Sequence, residues 1–325
     1  MVINLFIGVI FLKQITIGGK KVSNVALGIM RMDALDTDAA TKVIETAVDN
    51  GVNFIDTADI YGGGKSDLVF QKALDKSSVS RDDLWIQSKV GIRNSNDDGS
   101  GKPYGNRYDF SKQHIIDAVN HELQSLKLDY LDSVLLHRPD PLMELNEVAE
   151  AFDELQTAGK VRHFGVSNFN PMQFDMLQGA VSQKLMFNQL QFGIMHSNMI
   201  DFGMHTNMQD AHSIDHDGQF IEYSRIHDIV IQAWSPYQWG NFNGPFIDNP
   251  KFPELNKKMQ ALADQYGVTK NAIATAWILR HPAKFQVLVG SMNPQHIKES
   301  LAGSDVEMTG QEWYDIYYAA GNDMP

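Results

Sequence analysis

From Val25 onward, short apolar runs alternate with segments of helical period, and this strand-then-helix unit recurs about eight times. The runs fall at residues 25–28, 53–56, 84–88, 131–136, 161–166, 185–190, 229–233 and 285–289. Between them the helices carry their own signals. Asp36 or Thr37 can open the first, which places Val43, Ile44, Ala47 and Val48 on one stripe and stops at Gly51. Ser111 opens another, with Ile115, Val119, Leu123 and Leu126 on its inner face, and Leu145, Val148, Phe152 and Leu155 form a third stripe before Gly159. Thr269 can cap a helix through Ala272, Ile273, Ala276 and Leu279 that Pro282 ends. Parallel strands joined by helical crossovers over about 250 residues predict an α/β fold closed into a (β/α)8 TIM barrel. The rival, an open doubly wound sheet, would carry G-x-G-x-x-G after its first strand. That motif is absent, and the triplet Gly62, Gly63, Gly64 follows the second strand with the wrong spacing.

Composition narrows the partners. The chain has 325 residues, with 40 acidic and 27 basic side chains and a formal net charge of −13, which disfavours a nucleic-acid partner. With no cysteine there are no disulfides and no thiolate metal sites, and a cytoplasmic location is expected. Residues 1–12 are almost wholly apolar, yet a bilayer span needs roughly 20 such residues and a signal peptide needs a basic start, so no membrane role is assigned. Residues 1–21 read as an N-terminal extension or barrel-bottom hairpin, and 22–325 as a single barrel domain.

Three segments are longer than ordinary connections: 91–109, 191–219 and 237–250. All follow strands, so in a barrel they cover the C-terminal face, where barrel active sites lie. Tyr237, Trp239 and Phe242 suggest an apolar wall there, and Met30 after the first strand can reach a substrate. His212 and His216 stand at the i, i+4 spacing of a helical zinc site, near His196, His205, Asp210, Asp215 and Asp217. The Gly, Asp and Asn residues around them indicate a solvated loop instead, and no metal is expected.

The barrel brings the strand tips together. Asp56 ends the second strand with Tyr61 in the loop after it, Lys89 ends the third, and His137 ends the fourth. Taken singly these read as a turn cap, a packed loop aromatic, a solvated strand end and a core histidine. Together they form a carbonyl-reducing constellation. An ammonium at Lys89 favours the anion of Tyr61 and makes it a better acid, Asp56 keeps that ammonium charged, and His137 orients a substrate oxygen.

The stretch from Asn53 through Asp56 to Tyr61-Gly62, then Ser88-Lys89, then Leu136-His137-Arg138-Pro139, then Gly165-Val166-Ser167-Asn168, resembles the aldo-keto reductase family in order and spacing. The similarity covers roughly residues 22–301. It implies a barrel that binds a nicotinamide cofactor, usually NADPH, without a Rossmann domain and reduces a small-molecule aldehyde or ketone. Tyr61 then resembles the general acid, Lys89 and Asp56 its supporting pair, and His137 the residue that positions the carbonyl. Ser167, Asn168 and Gln189 match positions that hold the nicotinamide carboxamide, Trp234 stands where a ring stacks on it, and Ser235 follows. The segment from Gly290 through Ser291 and His296 to Glu299 resembles the part that holds the adenosine phosphate. Neither Gly290 nor His296 is arginine or lysine, which weakens the grip on a 2′-phosphate and leaves NADH as the alternative cofactor. Two other functions stay open: a cofactor-binding sensory or auxiliary subunit with slow turnover, and a barrel lyase or isomerase with Lys89 as Schiff-base nucleophile.

Overall fold

A strand buried on both faces needs no polar alternation, which is why the apolar runs are short and continuous. A computed structural model describes residues 12–93, 107–216, 218–240 and 242–322. In it the chain opens with an antiparallel hairpin, β1 (Gln14–Ile17) and β2 (Lys20–Ser23). The barrel strands are β3 (Val25–Gly28), β4 (Phe54–Asp56), β5 (Trp85–Val90), β8 (Leu131–Leu136), β9 (Val161–Ser167), β10 (Leu185–Gln191), β11 (Val230–Trp234) and β12 (Phe285–Val289). A short ribbon, β6 (Ile92–Arg93) with β7 (Arg107–Tyr108), follows β5. The eight barrel strands pair in parallel and close, β12 against β3. The expected TIM barrel is the fold observed.

Around the barrel run α1 (Thr37–Asp49), α2 (Lys65–Lys76), α3 (Lys112–Leu126), α4 (Leu145–Thr157), α5 (Pro171–Gln178), α6 (Asn198–Met204), α7 (Phe220–Ile226), α8 (Pro253–Tyr266), α9 (Lys270–Leu279), α10 (Pro294–Leu301) and α11 (Gly310–Ala319). Asp36 caps α1 by accepting from the Ala39 amide, and Ser111 caps α3 by accepting from His114. Thr269 holds the expected N-cap position of α9, but its hydroxyl makes no capping bond. Gly62, Gly63 and Gly64 all have positive φ, and a Cβ on Gly62 would lie 2.7 Å from Cβ of Asp33, so the triplet is a tight turn that only glycine fits.

The hairpin closes the bottom of the barrel. Ile17 and Val22 pack with Phe54, Trp85, Leu135, Phe187 and Leu288 in a lumen cluster separate from the larger core between strands and helices. Residues 1–11 of the apolar N-terminal stretch lie outside the described residues.

The segment 191–219 is not wholly a solvated loop. It contains α6, whose Met199, Ile200 and Asp201 are buried, because Tyr317 of α11 donates to Asp201 Oδ1 at 2.7 Å and holds the helix down. His205 at its end is also buried and lies 3.1 Å from Asp210. His212 sits in a single 3-10 turn and His216 beyond it, so they do not share a helix, and no metal-binding cluster occurs among the described residues.

Candidate active site

The C-terminal ends of the strands open into a cleft of about 860 Å3. Register explains what collects there. Gly28 pairs with Asp56 and Asp56 with Gln87, and Lys89, two residues beyond Gln87, shares its face of β5 one step nearer the mouth, within reach of Asp56. Lys89 lies within β5 rather than beyond its end and is fully buried, which corrects the reading of a solvated strand end. Its Nζ donates to Asp56 Oδ2 at 2.9 Å, to the Thr57 carbonyl at 2.5 Å and to the Tyr61 hydroxyl at 3.1 Å. Three donors meet three acceptors, so the ammonium is saturated.

Burial is the largest influence on Lys89 and works to neutralise it. The charges of Asp56 and of a Tyr61 phenolate, with the hydrogen bonds to both, outweigh burial and leave its pKa above that of a free lysine. This does not fit a Schiff-base nucleophile, which needs an uncharged amine with a free lone pair. Burial likewise dominates at Tyr61. The Lys89 ammonium pulls the phenol pKa down, but burial and the Asp56 carboxylate hold it above the ordinary value. The ammonium therefore acts on Tyr61 in the expected direction and offsets part of what burial costs.

His137 stands edge-on to Tyr61, ring centroids 6.1 Å apart. Burial, then the charges of Lys89 and Arg138, hold its imidazole well below the usual range, so the ring is neutral at physiological pH. Its buried Nδ1 has no hydrogen-bond partner among the described residues. A neutral imidazole beside a half-buried phenol can orient an oxygen and let the phenol deliver a proton to it.

The residues carried over for the cofactor also line this cleft: Ser167, Asn168, Gln189, Trp234, Ser235, Ser291, His296 and Glu299. Asn168 and Ser235 have φ of 63° and 48°, left-handed conformations that non-glycine residues adopt at a cost of order 1–3 kcal/mol and that cluster at functional sites. Gln189 donates to Asp56 Oδ1 at 2.9 Å and to Gln232 at 3.2 Å, which leaves its carbonyl oxygen for a ligand. Trp234 donates to Asn168 Oδ1 at 3.2 Å, stacks on Phe242, and has the Arg138 guanidinium 5.6 Å from its ring. Glu299 accepts from Asn271 and Gln295. Of the expected apolar wall, Tyr237 and Phe242 line the cleft, whereas Trp239 packs edge-on against Phe252.

Residues that the sequence did not single out complete the site. Arg31 follows β3 and donates to the Gly290 carbonyl at 3.3 Å, bringing a cation to the start of the segment after β12, where neither residue 290 nor residue 296 is arginine or lysine. Below the cleft, Gln87 donates to Asp56 and to Gln232, Gln232 to Gln286, and Gln286 to the Ser23 carbonyl, each at 2.8 Å. This amide column fills the lumen.

A barrel mouth that gathers a half-buried phenol, an ammonium, a carboxylate and a neutral imidazole defines a protein able to hand a proton to a bound oxygen. The comparisons say which family that is. The aldo/keto reductase family model matches residues 15–319. The chain is 32% identical to oxidoreductase YdhF of Escherichia coli over 320 residues, 96% of this chain and 99% of that protein. It is 30% identical over 306 residues to a 6-dehydroglucose reductase of Agrobacterium fabrum, covering 92% and 95% of the two. A solved aldo-keto reductase from Klebsiella pneumoniae, in complex with NADPH, matches with a TM-score of 0.74 at 22% identity over 94% of each chain. The chain belongs to the aldo-keto reductase family and is an NAD(P)H-dependent oxidoreductase.

Proposed function

We propose that this protein reduces an aldehyde or ketone to an alcohol with NADPH, using Tyr61 as general acid. The observation that carries the reading is the Lys89 ammonium bonded at once to Asp56 and Tyr61 at the floor of the cleft. When bound, the dihydronicotinamide supplies hydride to the carbonyl carbon. The residues present fit such a group. Ser167, Asn168 and the free carbonyl of Gln189 face it at one end, Trp234 offers an indole face, and Arg31, Ser291 and His296 supply donors at the other. Arg31 answers the absence of a basic residue at Gly290 and His296 and supports NADPH over NADH. His137 orients the carbonyl oxygen, Tyr61 donates its proton as negative charge grows on that oxygen, and Lys89 and Asp56 stabilise the phenolate that remains.

For substrate we favour a small polyhydroxy aldehyde. The relative from Agrobacterium fabrum is a 6-dehydroglucose reductase, and Arg138 and Trp234 at the mouth give polar and stacking surfaces suited to a sugar-sized molecule. No described helix is long and apolar enough to cross a membrane, and with no cysteine in the chain we place the enzyme in the cytoplasm. The test is NADPH and NADH titration followed by a carbonyl panel with wild type and Tyr61→Phe. The variant is expected to keep its NADPH affinity and to lose roughly 10² to 10⁴ in turnover. Tyr61→Phe turning over near the wild-type rate would refute the assigned acid. Tight NADPH binding by the wild type without turnover on any carbonyl would instead favour a sensory or auxiliary subunit.

A further inference from the structure

Behind the Lys89 ammonium, away from the cleft, lie two carboxyl groups that the reaction does not use. Asp67 is in the first turn of α2 and Glu122 on the inner face of α3, and each is 1% exposed. Each bonds to a residue that flanks the lysine. Thr57, whose carbonyl takes one N–H of Lys89, donates its hydroxyl to Asp67 Oδ1 at 2.6 Å. Ser88, next to Lys89 on β5, donates to Glu122 Oε1 at 2.9 Å. Glu122 Oε2 is buried with no hydrogen-bond partner among the described residues. A carboxylate buried that way, beside a second one, cannot keep both charges cheaply.

We propose that Asp67 is a positioning residue for the Lys89–Tyr61 pair. It holds Thr57 so that the Thr57 carbonyl receives the lysine, and it adds a negative charge behind the ammonium while Glu122 stays neutral. The inference rests on Tyr61 being the acid. The charged group that acts on Asp67 is Lys89 on β5, and Glu122 on α3 feels Asp67, Lys89 and Asp59 of the loop after β4. Burial, then Asp67 and Asp59, raises Glu122 well above the ordinary carboxylate range, so it holds its proton. Burial lifts Asp67 to about 7, with Thr57 and Lys89 pulling the other way, so Asp67 carries the charge at alkaline pH.

The sign follows. Asp67 acts on Tyr61 through Lys89: an extra anion beside the ammonium offsets part of the positive charge that favours the phenolate, so removing it lets the phenol ionise at lower pH. Reduction needs the phenol protonated. Asp67→Asn keeps an oxygen for the Thr57 hydroxyl but loses the charge, and the alkaline limb of kcat/KM for reduction should move down by about one pH unit. Thr57→Val loses the hydroxyl and should lower kcat by roughly ten- to a hundredfold with KM little changed, while Thr57→Ser restores it. An Asp67→Asn profile that overlays the wild type, even in a less stable protein, overturns the proposal. If that variant does not fold, equal kcat in Thr57→Val and Thr57→Ser overturns it instead. Tyr61→Phe measured alongside separates the cases: loss of turnover there with an unmoved Asp67→Asn profile sinks only this inference, and retained turnover sinks the reading beneath it.

Discussion

At Lys89 the site and the stability of the fold meet in one side chain. The lysine is fully buried and Asp56 nearly so, and their mutual bond is what makes either charge tolerable. Removing one partner leaves the other charge uncompensated, which costs about 3–5 kcal/mol, whereas removing both leaves neutral groups of similar shape. Lys89→Met should therefore lower unfolding stability in urea by that amount at neutral pH, and adding Asp56→Asn should recover most of it. Purely additive losses would contradict the pairing. The four residues of this site were legible in the sequence because each ends or follows a run that is plainly a strand, and tips of adjacent barrel strands converge. Arg31 was equally within reach: first and last strands adjoin in a closed barrel, so a cation just after β3 lands beside Gly290. Asp67, Glu122 and the lumen glutamines were not. A polar residue inside an apolar strand or on a helix inner face shows its partners only when the neighbouring element is in place.

Among elements, the strands were read well and the loops poorly. Strands at 25–28, 131–136 and 285–289 have the expected limits, and the others differ by one or two residues at an end. Continuous burial wrote them into the sequence. The helix α6 inside 191–219 was hidden because its stability comes from Tyr317, more than a hundred residues away, and not from its own periodicity. Close strand packing at β9 also has a functional edge. A Cβ on Gly165 would lie 2.7 Å from Leu135 Cδ2 and 2.9 Å from the Phe187 carbonyl, so β8, β9 and β10 approach as they do only because this residue is glycine. Gly165→Ala should cost about 1–3 kcal/mol through overpacking. Ser167 and Asn168 stand two and three residues further along β9 and its exit, so the same change should weaken NADPH binding measured by fluorescence titration. Unchanged affinity in a destabilised variant would show that the strand end adjusts independently.

Across the whole molecule, chemistry lies at one end of the barrel and closure at the other, with a hydrogen-bonded column between them. Trp85 anchors the floor. It stacks on Phe54 at 5.7 Å and on His163 at 5.1 Å, and its indole donates to Ser133 Oγ at 2.8 Å. Ser133 donates to Gln87 at 3.1 Å, and Gln87 to Asp56, so a continuous path joins the floor to the Asp56 carboxylate. Trp85→Ala removes the bottom of that path but leaves Ser133 donating to Gln87, so Asp56 keeps its partners. The substitution should cost about 3–5 kcal/mol in stability. Turnover and the rise in melting temperature on adding NADPH should match those of the wild type, since a ligand stabilises by its affinity for the folded state alone. A change of more than about tenfold in NADPH affinity would mean that the amide column transmits the floor to the mouth, and that the two ends of this barrel are not separable.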